Sequence, residues 1–206
     1  TKNDRTRICS VTITPYPNKS LQFSFAGAKV LLFLELPKLY PDIDFVFRPH
    51  PLCRITLERD DIWGKVKTEE YLNKLTSYQN IEYQYGGEYF DTFVNSDGII
   101  HDCSSFLAEY LYTGNPCCYM IKENNEFRNS YTNLGEECLK QYYLAFNKED
   151  IIKYIEEIIL GEKDTKENER KDFANKYLKL NYPNVSDNII KYIKETLSNK
   201  NFQGDK

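Results

Sequence analysis

The sequence predicts an α/β fold, a Rossmann-like parallel sheet with helices on both faces, and three observations carry that expectation. Short apolar runs alternate with longer segments of helical periodicity along most of the chain. The runs at 45–47, 98–100 and 116–121 are almost wholly apolar, as strands covered on both faces are. Two of these runs end in polar or proline-rich turns, Arg48-Pro49-His50-Pro51 and Asp102-Cys103-Ser104-Ser105, at the strand end where open α/β sheets bind ligands.

Residues 7–14 read as the first strand, 26–39 as a helix, and 45–47 as the second strand after the turn Tyr40-Pro41-Asp42, which makes a βαβ unit. Residues 67–77 then read as helical, 81–84 as extended, and 88–95 as a short helix before the strand 98–100. A helix over 104–112 is closed by Gly114, because glycine accepts the left-handed conformation that ends a helix, and 116–121 is a buried strand. After a loop at 122–137 come a weak strand at 142–146 and a helix at 148–160 with Asn147 as its N-cap. The charged stretch 162–171 reads as the solvated face of a helix running on to Phe173, Tyr177 and Leu178. Ser186 is the expected cap of a last helix whose Ile189, Ile190, Ile193 and Leu197 form one apolar stripe. Residues 1–206 are therefore expected to form one domain, with C-terminal helices over about 163–200. The chain lacks an initiating Met, and its polar opening Thr1-Lys2-Asn3-Asp4-Arg5 reads as the start of an excerpt from a longer protein.

Composition narrows the function. A net charge of -4 speaks against binding a nucleic-acid backbone, which needs dense Lys and Arg, but it leaves room for a local positive site. The six cysteines form no CxxC pair, and His50 and His101 lie far apart, so no zinc site is expected. Cys117 and Cys118, adjacent in an apolar run, read as buried reduced thiols. No apolar stretch approaches the roughly 20 residues of a membrane span. Asp42-Ile43-Asp44 matches the DxD pattern of some metal-dependent transferases, but it precedes a strand, at the wrong end for a ligand site. Asp60-Asp61 reads as a solvated loop. Cys103 sits at a helix start, which can lower a thiol pKa, but the adjacent His101 is expected to point to the opposite side and offers no base.

Two turns remain as carriers of chemistry. Prolines hold Arg48 and His50 in a stiffened loop, where a guanidinium fork and an imidazole donor suit a phosphate; the alternative is an ordinary proline-rich turn with solvated side chains. Ser104 and Ser105 stand where a helix start offers N–H groups to an anion, and their hydroxyls add donors, so a pyrophosphate would fit. Glu109 follows Ser105 by one helical turn on the same side, placed to accept from ribose hydroxyls. The alternative makes Asp102 or Ser104 a plain N-cap and Glu109 a surface acid.

Taken together, Arg48-Pro49-His50-Pro51, Asp102-Cys103-Ser104-Ser105, Glu109 and Gly114-Asn115-Pro116 resemble the CDP-glycerol glycerophosphotransferase family of teichoic-acid and capsule enzymes, over nearly the whole chain from residue 7 to residue 197. The resemblance implies the C-terminal, donor-binding half of a GT-B fold, with an N-terminal half supplying the acceptor-facing residues and the general base. It implies transfer from a CDP-glycerol or related CDP-polyol donor to a lipid-linked or polymer acceptor, with release of CMP and without metal or cofactor. Arg48, His50, Asp102, Ser104 and Ser105 would bind the diphosphate, His50 would act catalytically, and Glu109 would hold the ribose. The full protein would work at the inner face of a bacterial cell membrane, from the cytoplasm. The sequence departs from the family at His101 and Cys103, where Thr or Ser and Tyr are usual. Two rivals stand beside this reading: a GT-B capsule glycosyltransferase using a nucleotide sugar, and a nucleotide-binding module inactive by itself.

Overall fold

Among the described residues six short strands pair side by side, all parallel, in the order β3-β2-β1-β4-β5-β6. They are β1 (Arg7–Val11), β2 (Asp44–Phe47), β3 (Ile81–Tyr83), β4 (Gly98–His101), β5 (Cys117–Met120) and β6 (Tyr143–Ala145). This computed structural model describes residues 5–11, 26–121 and 131–201. Residues 12–14 of the first expected strand and 122–130 of the expected loop lie outside the described residues. The strand order reverses direction between β1 and β4, which is the switch point where a doubly wound sheet opens a ligand crevice.

Period-two alternation splits the strand residues between two cores. Ile8, Phe45, Phe47, Ile100, Cys118 and Met120 face one side, with Leu32, Phe33 and Leu36 of α1 (Ala26–Leu39) and Ile151 of α7 (Lys148–Lys153) packed on them. Cys9, Ile99, Cys117 and Tyr119 face the other side, against Leu107 of α5 (Phe106–Glu109), Leu139 of α6 (Asn133–Lys140) and Phe173 of α8 (Glu167–Phe173). Helices thus cover both faces, as the continuous apolar strands require. α1 ends as the sequence predicts even though it contains Pro37. The Asn80 side-chain amide donates to the carbonyls of Pro37, Tyr40 and Ile43 at 3.1, 3.1 and 3.0 Å, giving this end its hydrogen-bond partners.

Gly98 opens β4 where two side chains lie close over the backbone. A Cβ there would stand 2.5 Å from Ile159 Cδ1 and 2.8 Å from the Tyr154 hydroxyl, so a larger residue would force these two side chains of the π-helical turn Tyr154–Leu160 to shift. Asn147 caps α7 as predicted, its side chain accepting from the Asp150 N–H at 2.9 Å.

Several expectations need correction. α2 (Leu52–Leu57) follows Pro51 directly and was not expected, and α6 begins at Asn133 inside the predicted loop, capped by Thr132 through the Gly135 N–H at 3.2 Å. α3 (Gly64–Thr76) and α4 (Phe90–Val94) take the places of the helices expected at 67–77 and 88–95. The helix expected over 104–112 is α for only four residues, after which it tightens to a 3-10 turn at Tyr110–Thr113. α9 (Val185–Asn201) starts one residue before Ser186, which therefore lies inside its first turn and does not cap it. The 162–171 stretch is mostly exposed, but Arg170 is fully buried.

Candidate functional site

The loops leaving β2 and β4 emerge at the C-terminal edge of the sheet. These strands flank β1, so the two loops stand roughly 10 Å apart, two strand spacings. The β2 loop is rigid in detail. Phe47, Arg48 and Pro49 are buried, and His50 is half-buried. The Leu52 N–H, first of α2, donates to His50 Nδ1 at 3.1 Å, while the His50 carbonyl accepts from Cys53 N–H at 2.8 Å. Because Nδ1 is an acceptor, the neutral ring carries its proton on Nε2, which leaves an N–H donor at the far side of the imidazole.

Arg48 is placed differently from the free phosphate fork that its motif suggests. Its guanidinium donates to Gln84 Oε1 at 3.2 Å, to the Glu88 carbonyl at 3.5 Å and to the Gly87 carbonyl. Gly86 and Gly87 both have left-handed φ, 72° and 74°, a backbone path few other residues take, and it turns the Gly87 carbonyl toward Arg48. Gln84 Oε1 also accepts from Thr92 Oγ1 at 3.0 Å. Arg48 therefore pins the loop between β3 and α4 to the end of β2. Its charge opposes the burial that pushes the Cys9 thiol of β1 up to about 12.

At the β4 end, Ser104 and Ser105 are exposed and form the turn before α5, while Asp102 and Glu109 are half-buried. The Phe106 and Leu107 N–H groups bond the Cys103 and Ser104 carbonyls at 3.3 and 3.2 Å. With so few aligned peptides, the macrodipole expected behind Ser104 and Ser105 is small, and hydroxyl donors carry more of any anion binding. The turn is held from below. The Tyr119 hydroxyl lies 3.0 Å from the Asp102 carbonyl and 2.8 Å from the Tyr131 hydroxyl. His101 is buried with its ring edge-on to Tyr119 and Tyr142, and its Nδ1–H donates to the Cys103 carbonyl at 3.0 Å. It shapes the turn through this bond.

Burial pushes the Cys53 thiol of α2 up to about 12, and the Asp102 carboxylate acts in the same direction, so the β4 loop and α2 lie within electrostatic reach. The sequence reading missed Tyr89, which joins the two motifs. Its hydroxyl donates to Glu109 Oε2 at 2.6 Å, and the Arg48 guanidinium carbon stands 5.3 Å from the centre of its ring. Aromatic residues next to a helix start carry no local functional signature, so only the fold brings it forward.

Burial likewise raises the thiols of Cys117 to about 12 and Cys138 to about 11, while Cys103 alone of the six is half-exposed. A maleimide added to the native protein is therefore expected to modify Cys103 first, as read by peptide mass. Faster labelling of Cys117 or Cys118 would contradict the two-sided burial of β5. Among the described residues no group of three His, Cys, Asp or Glu could hold a metal ion. Asp44 of the DxD match opens β2 at the opposite sheet edge, where it pairs with Arg5 at 3.1 Å.

The family model for CDP-glycerol:poly(glycerophosphate) glycerophosphotransferase matches residues 34–195. Among solved structures, the wall teichoic acid polymerase TagF is similar over 96% of this chain and 45% of its own, at 17% identity and a TM-score of 0.55. UDP-GlcNAc 2-epimerase from Methanocaldococcus jannaschii matches over 84% of this chain and 46% of its own, at 19% identity and a TM-score of 0.54. Trehalose-6-phosphate synthase OtsA matches over 82% and 39%, at 14% identity and a TM-score of 0.51. At such identities the likeness shows the fold alone, a Rossmann-like half of the GT-B kind. The chain spans less than half the length of each of these structures. No curated protein matches the chain.

Proposed function

The chain belongs to the CDP-glycerol:poly(glycerophosphate) glycerophosphotransferase family, and on that premise we propose that it is the donor-binding half of a transferase that builds a phosphodiester-linked surface polymer. The observation that carries the reading is the β2 loop. His50 is fixed by a backbone N–H on Nδ1, so that its Nε2–H is free to meet an anion at the ligand edge of the sheet, after a strand two spacings from the one that leads to Ser104 and Ser105.

In this reading the CDP-linked polyol lies across the crevice, its diphosphate between His50 and the serines and its ribose on Glu109. An acceptor hydroxyl attacks the β-phosphorus and forms the new P–O bond. The bond from that phosphorus to the bridging oxygen breaks, and CMP leaves with the electron pair. His50 Nε2–H and the serine hydroxyls donate to the phosphate oxygens, where charge grows as CMP departs, which is where fixed donors lower a barrier most. Arg48 serves by holding the β3–α4 loop and by its field, and Asp102 by fixing the turn through its carbonyl. The proton of the attacking hydroxyl goes to a base in a second half that completes the cleft. That half would also carry the acceptor site and attach the enzyme to the cytoplasmic face of the membrane. Among the described residues no helix is long and apolar enough to cross one.

Calorimetric titration of the 206-residue chain tests this directly. CDP is expected to bind more tightly than UDP or UDP-sugars, and CDP-glycerol to bind without turnover. A preference for UDP-sugars would move the assignment to sugar transfer, and polymer formation by this chain alone would overturn the two-half mechanism.

A further inference from the structure

We infer that Tyr89 is a positioning and specificity residue that holds Glu109 ready for a ribose, so that the site distinguishes ribonucleotides from 2′-deoxyribonucleotides. The inference rests on the donor-binding reading above and adds to it a residue outside both motifs.

The geometry is built from three sides. The Tyr89 hydroxyl donates to Glu109 Oε2 at 2.6 Å, a short charge-assisted bond that ties up one carboxylate oxygen and fixes the plane of the other. The ring that carries this hydroxyl is itself held. The Phe106 ring meets it edge-on at 5.0 Å, Phe93 packs against it at 5.1 Å, and the Arg48 guanidinium lies over it at 5.3 Å. Arg48 is in turn fastened to the β3–α4 loop by its bonds to Gln84 and to the Gly87 and Glu88 carbonyls. Hydrogen bonding to Glu109, with partial burial, raises the Tyr89 phenol to about 12, so it stays a donor throughout the neutral range.

A carboxylate on a mobile side chain must lose rotamer freedom when it accepts from a ribose diol. Here Tyr89 restricts that freedom before the ligand arrives by holding one carboxylate oxygen. The consequence is selective. A ribose with both hydroxyls uses the other oxygen, whereas a 2′-deoxyribose leaves it without its partner, and a site built around a hydroxyl rejects the analogue that lacks it. Tyr89 also ties Glu109 on the β4 side to Arg48 on the β2 side.

The test titrates CDP and 2′-deoxy-CDP into the unsubstituted chain, Tyr89→Phe, Glu109→Gln and the double variant. The unsubstituted protein is expected to prefer CDP by about tenfold, and Tyr89→Phe to lose most of that preference by weakening CDP about five- to tenfold while leaving 2′-deoxy-CDP within about twofold. Glu109→Gln should do the same, and the double variant should be no worse than either single one, because both remove one shared interaction. Full ribose discrimination in Tyr89→Phe overturns the inference, and so does an equal loss for both nucleotides, which would mark a merely structural role. Failure of the unsubstituted chain to bind either nucleotide overturns the donor reading and this inference with it. Should Tyr89→Phe fold poorly, Glu109→Gln decides by the same comparison.

Discussion

Arg170→Ala is expected to destabilise the chain by about 3–5 kcal/mol, the usual cost of removing one partner from a buried ion pair. Arg170 has no exposed surface, and the Asp164 side chain it pairs with retains only 11% of its own. The guanidinium Nε also donates to the Gly114 carbonyl at 3.1 Å. Alanine would leave a carboxylate without its cation, a carbonyl without its donor and an empty space beneath α8. Asp164 would keep only the Tyr143 hydroxyl at 2.9 Å and the Lys166 N–H at 3.2 Å. The loss reaches the site, because Gly114 ends the segment that begins with Ser105 and carries Glu109. Lys171 forms a salt bridge with Glu167 on the same helix, but both side chains there are about half exposed. Lys171→Ala should therefore cost well under 1 kcal/mol. Urea denaturation of both variants compares the two, with equal m-values showing that the same surface is exposed on unfolding. If the two variants shift the midpoint equally, the buried pair does not hold α8 in place. Removing both charges in an Arg170→Met, Asp164→Leu variant should recover part of the loss, since an apolar pair carries no desolvation cost.

Arg170 also shows where sequence reading stops. It sits in a run of charged residues whose pattern fits a solvated helix face, and most of the run is solvated. What buries this one cation is the position of α8 against the turn at Gly114, which no local pattern specifies. The sheet was legible for the opposite reason: β4 and β5 are buried at every residue, so residues 98–100 and 117–120 appear as apolar runs. α2 escaped because it has only six residues, in which the buried pair Cys53 and Leu57 is masked by the exposed apolar residues Leu52 and Ile55. Its start depends on Pro51 and on the His50 ring accepting an N–H, both set by the loop. α5 was read as too long because apolar spacing does not separate i→i+4 from i→i+3 bonding, and the turn after Glu109 takes the latter. Of the candidate site, the strand-end residues could be found by position alone. The Tyr89–Glu109 bond joins residues 20 positions apart on different elements, and it exists only because the start of α4 and the end of α5 meet across β4.

His50→Ala should weaken CDP binding by about 1.5–3 kcal/mol, the range for a hydrogen bond to a charged partner. Alanine removes two things at once, because Nδ1 accepts the first N–H of α2 while Nε2–H is the donor proposed to face the diphosphate. Two further substitutions separate these roles. Asparagine places a polar atom near the position of Nδ1 and can keep the Leu52 N–H partnered, but it does not reach as far as Nε2. Glutamine is longer and can present an amide N–H closer to the Nε2 position. If Nε2–H serves the phosphate, His50→Asn should melt near the parent temperature yet bind CDP as weakly as His50→Ala, and His50→Gln should recover part of the affinity. If His50 acts only as a cap, His50→Asn should restore both, since a lost cap costs about 1 kcal/mol of stability and little else. Ser105→Ala is the internal standard. Its hydroxyl is one donor among several at the β4 turn, so its loss should be smaller than that of His50. Unchanged CDP affinity in a folded His50→Asn protein would remove the β2 loop from the nucleotide site and leave the β4 turn as its only support.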